Sequence, residues 1–216
     1  MPIQFHQCSQ ETKDQVNKII EFWDSSRKFW TLTTSGSTGK PTSIRITRSA
    51  LLASARATIS YFDLKPSTKA LLCLPPAKVG GMMMVLRAIV GEWELYVTEP
   101  RANPLRDFDD QFDFAAMVPY QASSSRQNLG QVKKLLLGGG MVSAELEEHL
   151  ASSRDTACYQ SYGMTETLSH VALRSLRNDE NSPYRALPGV HFGTDERGCL
   201  VIDAPDRGVH ELITND

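Results

Sequence analysis

The apolar positions of this chain follow two periods in turn, one typical of helices and the other of strands. Apolar side chains at Val16, Ile19, Ile20 and Trp23 have helical spacing and predict a helix over about residues 12–29. The later apolar runs predict strands at 42–47, 69–75, 93–100, 113–119, 132–140 and 156–163. Between them, the predicted helices are 48–62, 80–90, 120–128 and 143–153.

Several of the predicted strands are nearly continuous apolar runs, as expected where helices cover both faces of a sheet. Strand–helix alternation of this length predicts an α/β fold with a largely parallel, layered sheet and flanking helices. After Pro183 the pattern changes to short alternating segments separated by turn sequences such as DERG and DRG. We therefore predict an α/β core over 1–182 and a small β-rich subdomain over 183–216.

Composition, charge and cysteine spacing argue against a nucleic-acid-binding, disulfide-rich or membrane protein. The 216 residues are 41% hydrophobic and 22% charged, with a net charge of -2, which argues against a nucleic-acid partner. The four cysteines are scattered singly, which favours a reducing cytoplasm over a disulfide framework or a structural zinc site. The N-terminus does not resemble a signal peptide, and Arg87 interrupts the longest apolar tract, so we expect no membrane insertion.

The segment TLTTSGSTGKP is the first candidate for chemistry. It does not fit a Walker A loop, because only two residues separate Gly36 from Gly39 and Pro41 follows the lysine. It also lacks the G-x-G-x-x-G dinucleotide fingerprint. Exposed backbone amides, hydroxyls and one lysine form anion-binding turns, although a polar surface loop remains an alternative. The candidate phosphate ligands are Thr34, Ser35, Gly36, Ser37, Thr38, Gly39 and Lys40.

Two downstream segments supply further candidates at the predicted carboxyl ends of strands, where open α/β sheets bind ligands. YGMTE places a hydroxyl at Thr165 for a phosphate and a carboxylate at Glu166 for Mg²⁺. LLLGGG ends in Gly138, Gly139 and Gly140, whose bare backbone would let a flat base lie against the chain beside Tyr162. Alone, three glycines are more often a tight turn.

Together, TTSGSTGKP, LLLGGG, YGMTE and the terminal LITND resemble the adenylate-forming superfamily over about residues 30–216. Within it, the segments ALLCLP, MMMVLRA, DFAAMVPYQ, YGMTETLSH and LPGV are similar to the short o-succinylbenzoate–CoA ligases of menaquinone biosynthesis. This resemblance implies a two-step reaction. A carboxylate attacks the α-phosphate of ATP to give an acyl-adenylate, and the thiol of CoA then displaces AMP.

The resemblance also implies roles for individual residues. Thr165 would meet the α-phosphate, Glu166 would hold Mg²⁺, and Lys40 with its loop would bind the β- and γ-phosphates. Asp216 would accept hydrogen bonds from the ribose. The implied catalytic residues are thus Thr165, Glu166 and Lys40, and the implied nucleotide site adds Thr34 to Gly39, Gly138 to Gly140, Tyr162, Gly163 and Asp216.

The acid is expected to be o-succinylbenzoate, which carries a second carboxylate that the protein must recognise. The candidates for this contact are Arg87, Lys78 and His170. An alternative for Arg87 is a charge that snorkels from an apolar helix, and one for His170 is a buried strand histidine. Met82 stands where the ligases usually have lysine, and Lys78 where many relatives have histidine, so a ligase for another acid remains an alternative.

Relatives in this superfamily continue beyond the aspartate that matches Asp216 into a mobile C-terminal domain. We therefore expect this chain to be a truncated fragment that binds nucleotide and turns over poorly, with a non-catalytic nucleotide-binding module as the alternative. The expected partners are the carboxylic acid, ATP with Mg²⁺, and CoA. A homodimer is a further candidate, and the expected location is the cytoplasm.

Overall fold

The computed structural model describes residues 1–34, 42–177 and 182–215. Its helices are α1 (Gln10–Asp24), α2 (Arg48–Tyr61), α3 (Val79–Gly91), α4 (Pro119–Ser124) and α5 (Ala144–Ala151). The first strands are β1 (Ile3–His6), β2 (Phe29–Thr34), β3 (Thr42–Thr47), β4 (Lys69–Leu72), β5 (Glu94–Thr98), β6 (Phe112–Met117) and β7 (Val132–Leu137). The remaining strands are β8 (Ala157–Met164), β9 (Ser169–Ser175), β10 (Arg185–Ala186), β11 (His191–Thr194), β12 (Leu200–Ala204) and β13 (Val209–Ile213).

Eight strands form the main sheet in the order β1-β5-β4-β6-β7-β8-β9-β10. The first six in this order pair in parallel, whereas β9 and β10 are antiparallel to their neighbours. This arrangement confirms the predicted α/β fold with a largely parallel sheet. Because parallel strands all end on one side, the loops that follow β4, β6, β7 and β8 meet at a single edge.

Helices cover both faces of the sheet and bury its alternating side chains. In β4, Leu72 packs with α1, α2 and α3 in one buried cluster, whereas the preceding Leu71 packs with α4 and α5 in the other. Met82, Met83 and Met84 of α3 are fully buried in the first cluster. The period-2 alternation of a strand and the helical stripe of α3 therefore build one layered core.

The N-terminal helix differs from the predicted range of about 12–29. It begins at Gln10, where the Ser9 hydroxyl accepts a hydrogen bond from the Thr12 amide at 3.2 Å, and it ends at Asp24. The Ser25 hydroxyl donates to the Phe22 carbonyl at 2.7 Å, and the backbone then becomes extended. Phe29 belongs to β2, so the apolar residues that follow Trp23 are strand residues and not a continuation of the helix.

Two smaller sheets accompany the main one. The strands β2 and β3 form an antiparallel hairpin that pairs Phe29 with Thr47 and Thr34 with Thr42. The strands β11, β12 and β13 form an antiparallel sheet near the C-terminus, where a β-rich segment was predicted. Because Ile202 and Val209 join the same buried cluster as α2, this sheet packs on the α/β core. The division into domains at residue 182 stays a prediction.

The sequence pattern missed or misplaced three further elements. The strands β1 and β9 were not predicted, and the helix predicted at 120–128 is shorter, ending at Ser124 before a 3₁₀ turn at Leu129–Gln131. Across the described residues, no helix combines the length and the apolar character that a membrane crossing requires.

Candidate active site

A cavity of about 380 Å³ lies at the carboxyl ends of four strands of the main sheet. Its wall includes Leu74 after β4, Val118 after β6, Gly138 after β7 and Gly163 near the end of β8. The N-terminal turn of α3 adds Lys78 to Gly81. The cavity therefore occupies the edge where a parallel α/β sheet presents its ligand-binding loops.

The glycines after β7 form a bare backbone wall on one side of this cavity. The Gly138 amide donates to the Met117 carbonyl at 3.1 Å, which fixes the loop against β6. A Cβ atom at Gly138 would lie only 2.6 Å from the Ser161 hydroxyl, and Gly139 has a φ of +75°, which favours glycine. Gly138 and Gly139 line the cavity, whereas the exposed Gly140 is outside its lining.

The turn between β8 and β9 also lines the cavity and carries the YGMTE motif. At Gly163 a Cβ atom would lie 2.3 Å from the Ser169 carbonyl oxygen, so only glycine allows the two strands to approach this closely. The buried Thr167 hydroxyl contacts the Met164 amide at 2.9 Å and the Ser169 carbonyl at 2.7 Å, and thereby holds the turn. This turn places the half-buried Thr165 in the cavity wall.

Two other residues of the motif lie outside the lining of the cavity. Glu166 is exposed, and its carboxylate has no ion pair within the described ranges. In those ranges no group of three or more His, Cys, Asp or Glu side chains is placed to hold a metal ion. Tyr162 is half-buried, and its ring meets the Tyr184 ring edge-on at 6.2 Å. Glu166 therefore offers one exposed carboxylate next to Thr165 in the chain.

The predicted phosphate ligands lie at the margin of the described structure. Thr34 is the last residue of β2, and its side chain is outside the described part. Ser35, Gly36, Ser37, Thr38, Gly39 and Lys40 lie outside the described residues, as does Asp216. Their roles stay predictions.

All three candidate residues for the acid line the same cavity, but their environments differ. Lys78 is exposed and precedes the first turn of α3. Arg87 and His170 are buried, with only 1% and 4% of their surface accessible. The snorkelling alternative for Arg87 is therefore wrong, since the guanidinium stays inside the protein.

Arg87 is a buried cation that the described residues do not neutralise. Its Nε donates to the Thr58 hydroxyl at 3.1 Å, and its Nη2 donates to the Ser169 hydroxyl at 3.1 Å. No carboxylate of the described ranges forms an ion pair with it. Burial, together with the nearby charge of Arg207, lowers the pKa of Arg87 to about 9, so the side chain remains positively charged at neutral pH.

A second buried arginine lies beside it. Arg207, in the 3₁₀ turn Pro205–Arg207, donates from Nη1 to the His170 carbonyl at 2.7 Å. Its Nη2 is buried without a hydrogen-bond partner among the described residues. Burial lowers the pKa of Arg207 to about 10, so this charge is also retained at neutral pH. Arg207 therefore adds a second cation next to Arg87, which itself lines the cavity.

His170 is held neutral by this environment. Burial lowers its pKa well below the ordinary value, and the positive charges of Arg87 and Arg207 lower it further. Its ring nitrogens contact the Thr58 hydroxyl at 3.2 Å and the Ser169 hydroxyl at 3.3 Å. The imidazole is thus engaged with protein hydroxyls on both sides.

The sequence alone does not predict the hydroxyl groups or the second arginine of this site. Ser54 and Thr58 lie on the buried face of α2 with Leu51 and Ala55. Hydroxyls at helical spacing on an otherwise apolar stripe could have indicated a buried polar site, because a buried hydroxyl needs a hydrogen-bond partner. Arg207 lies far away in sequence and gave no comparable signal.

A sequence profile of the AMP-binding enzyme family matches residues 6–193. Among curated proteins, the 2-succinylbenzoate–CoA ligase of Salmonella typhimurium is 32% identical over 171 residues, which covers 77% of this chain and 36% of the relative. The ligase of the same name from Listeria monocytogenes serotype 4b is 27% identical over 206 residues, covering 90% of this chain and 44% of the relative. The chain therefore spans less than half the length of these relatives.

Solved structures agree with this relationship. An acyl-CoA synthetase (AMP-forming)/AMP-acid ligase II-like protein from Dyadobacter fermentans superposes with a TM-score of 0.87 at 41% identity, over 98% of this chain and 62% of that one. The o-succinylbenzoate CoA synthetase of Bacillus subtilis, solved with ATP and magnesium, shares the fold with a TM-score of 0.70 at 20% identity, over 86% of this chain and 42% of that one. The chain described here belongs to the AMP-binding enzyme family.

Proposed function

We propose that this chain carries the nucleotide- and acid-binding half of an ATP-dependent acid–CoA ligase that activates o-succinylbenzoate. The observation that carries the proposal is a single cavity that joins a bare glycine wall to the buried, un-neutralised Arg87. The first feature suits an adenylate and the second suits an acid with an additional carboxylate. The names of the curated relatives support this choice of acid.

The nucleotide would lie along the wall formed by Gly138 and Gly139. The donors and shape present fit such a group, because Gly138 and Gly139 expose bare backbone to the cavity and Thr165 offers a hydroxyl in its lining. Tyr162 and Gly163 would border the base, as the family resemblance implies. The loop from Thr34 to Lys40 would hold the β- and γ-phosphates, and Asp216 the ribose.

Glu166 would be the protein's ligand for Mg²⁺. Its carboxylate is exposed next to Thr165 in the chain, and no cluster of further metal-ligating side chains surrounds it within the described ranges. This donor set fits Mg²⁺, which keeps several waters and binds through one or two carboxylates plus substrate phosphates. When bound, the ion would supply charge neutralisation at the phosphates.

The acid would enter with one carboxylate toward Thr165 and the other toward Arg87. A guanidinium pairs with a carboxylate through parallel hydrogen bonds, and burial strengthens that pairing because water does not screen it. Lys78 lies exposed in the cavity wall, where it would attract an anionic acid. The substrate carboxylate is itself the nucleophile, so the protein contributes positioning and charge stabilisation. CoA would take the acyl group in the second step.

Calorimetric titration with a sulfamoyl-adenosine mimic of o-succinylbenzoyl-adenylate tests the proposal. We expect the unmodified chain to bind the mimic and Gly138→Val to lose binding, because the new side chain would displace Ser161, which lines the same cavity. Gly193→Ala is the matched control, since a Cβ atom there has nothing within 4 Å. Failure of the unmodified, folded chain to bind the mimic would contradict the proposal.

A further inference from the structure

Four side chains from three elements form a closed hydrogen-bonded ring around Arg87. Arg87 of α3 donates to the hydroxyls of Thr58 in α2 and Ser169 in β9, each at 3.1 Å. His170 contacts the same two hydroxyls from the other side, through Nε2 to Thr58 at 3.2 Å and through Nδ1 to Ser169 at 3.3 Å. Each hydroxyl therefore lies between the guanidinium and the imidazole.

The donors and acceptors of this ring are compatible with a neutral imidazole. A guanidinium only donates, so both hydroxyl oxygens accept from Arg87. A neutral histidine offers one donor and one acceptor nitrogen. The Thr58 hydroxyl also donates a hydrogen bond to the Ser54 carbonyl at 3.3 Å. A protonated imidazole would donate to both hydroxyls and place a second cation against Arg87. The ring is thus complete without any acidic residue.

We propose that Thr58, Ser169 and His170 are positioning residues that fix the orientation of the Arg87 guanidinium toward the cavity. The ring holds Nε and one N–H group of Nη2, while Nη1 makes no hydrogen bond to the described residues. The N–H groups of Nη1 and the second N–H group of Nη2 are left to pair with a carboxylate. The identity of that ligand as the second carboxylate of the acid rests on the proposed function. His170 is accordingly reassigned from a direct contact of the acid to a support of Arg87.

Preorganisation is the physical reason for such a ring. A free arginine side chain loses much rotamer freedom when it binds a carboxylate, and that loss weakens the interaction. Here, two hydroxyls fix the guanidinium before the ligand arrives, and the imidazole fixes the hydroxyls. The Arg207 hydrogen bond to the His170 carbonyl at 2.7 Å adds an anchor from the 3₁₀ turn before β13.

Nuclear magnetic resonance of protein labelled with ¹⁵N at arginine Nε tests the positioning role without a ligand. We expect the Arg87 Nε–H signal of the unmodified chain to be sharp and protected from solvent exchange. Thr58→Val, which removes the hydroxyl at nearly constant volume, should broaden or shift that signal, whereas the conservative Thr58→Ser should retain it. An unchanged Arg87 signal in Thr58→Val would overturn the proposal.

Titration with two adenylate mimics, one o-succinylbenzoyl and one benzoyl, tests the consequence for selectivity. We expect Thr58→Val and Ser169→Ala to weaken binding of the first mimic about tenfold and to leave the second within about twofold, while Thr58→Ser behaves as the unmodified chain. Equal weakening of both mimics would overturn the positioning role, because a general structural defect does not distinguish them. If the unmodified chain bound neither mimic, the proposed function would fail, and the Arg87 signal would still decide the positioning role.

Discussion

At the scale of single residues, Arg87 is the side chain that most clearly indicates an anionic ligand. It is 1% exposed, and no carboxylate of the described ranges pairs with it. An unpaired buried charge costs stability, so a group of this kind is typical of a site that awaits an anionic ligand. The same feature that favours ligand binding should therefore destabilise the unliganded fold.

Replacement of Arg87 by methionine tests this trade-off. We expect Arg87→Met to raise the free energy of unfolding by about 1–3 kcal/mol, because a hydrophobic side chain of similar volume replaces an uncompensated charge. Urea denaturation followed by circular dichroism measures the difference.

Arg174 supplies the matched control, because it forms a bidentate ion pair with Glu147 at 2.8 and 2.7 Å. Arg174→Met should lower the free energy of unfolding by about 1–3 kcal/mol, since it leaves a partly buried carboxylate without its partner. If Arg87→Met destabilised the protein as strongly as Arg174→Met, the assignment of Arg87 as an uncompensated charge would be wrong.

The lowered pKa of the buried His170 should make the free energy of unfolding depend on pH. Its folded-state pKa is lowered well below the ordinary value by burial and by the charges of Arg87 and Arg207, so the unfolded chain takes up a proton that the folded chain does not. Stability should therefore fall as the pH drops below about 6.5, by up to about 1.4 kcal/mol per pH unit from this group.

Comparison of unfolding curves between pH 7 and pH 5 measures this contribution. His170→Asn should flatten the loss of stability with falling pH relative to the unmodified chain. Identical pH dependence of His170→Asn and the unmodified chain would show that the imidazole is not kept neutral by the fold.

At the scale of secondary-structure elements, the turn between β8 and β9 determines the shape of the site. The backbone at Leu168 and Ser169 has positive φ values of 55° and 91°, which are uncommon for residues other than glycine. The Thr167 hydroxyl and the close contact at Gly163 hold this strained turn in place. Strain of this kind concentrates at functional sites, where the surrounding structure maintains it.

Gly163→Ala tests the close approach of β8 and β9. The new Cβ atom would lie 2.3 Å from the Ser169 carbonyl oxygen and 2.5 Å from the His170 Cα, and both are backbone atoms that cannot simply rotate away. We expect a loss of about 1–3 kcal/mol in the free energy of unfolding, against a change within about 0.5 kcal/mol for Gly193→Ala. Thermal and urea denaturation distinguish these outcomes, and equal stability of the two variants would contradict the close strand contact.

The sequence predicts a helix or strand correctly where a single local pattern of apolar residues is clear. Buried runs such as Leu135–Leu137 were identified because both faces of a parallel strand are apolar. The strand β1 was missed because it has only four residues at the sheet edge. The end of α1 was misplaced because Phe29 continues an apolar series while the chain has already left the helix at Ser25. Capping and strand pairing, which decide these cases, depend on tertiary partners.

At the scale of the whole molecule, the fold brings together residues that are distant in sequence. The positions of Gly138 and Thr165 directly after strands were predictable, because the residue types and spacing around them are local signals. The ring around Arg87 was not, because Thr58 and Ser169 are 111 residues apart and meet only through the packing of α2 against the sheet. The main sheet and its helices thus create one cavity that is lined by both the bare glycine backbone and the buried Arg87.

In the proposed function, Arg87 recognises the second carboxylate of the acid within this cavity. Calorimetric titration of the unmodified chain and Arg87→Met with the o-succinylbenzoyl and benzoyl adenylate mimics forms a double-mutant cycle that isolates this contact. We predict that the unmodified chain prefers the o-succinylbenzoyl mimic by about tenfold to a hundredfold and that Arg87→Met binds both mimics equally. A preference that persists in Arg87→Met, or that is missing from the unmodified chain, would show that Arg87 does not recognise the second carboxylate.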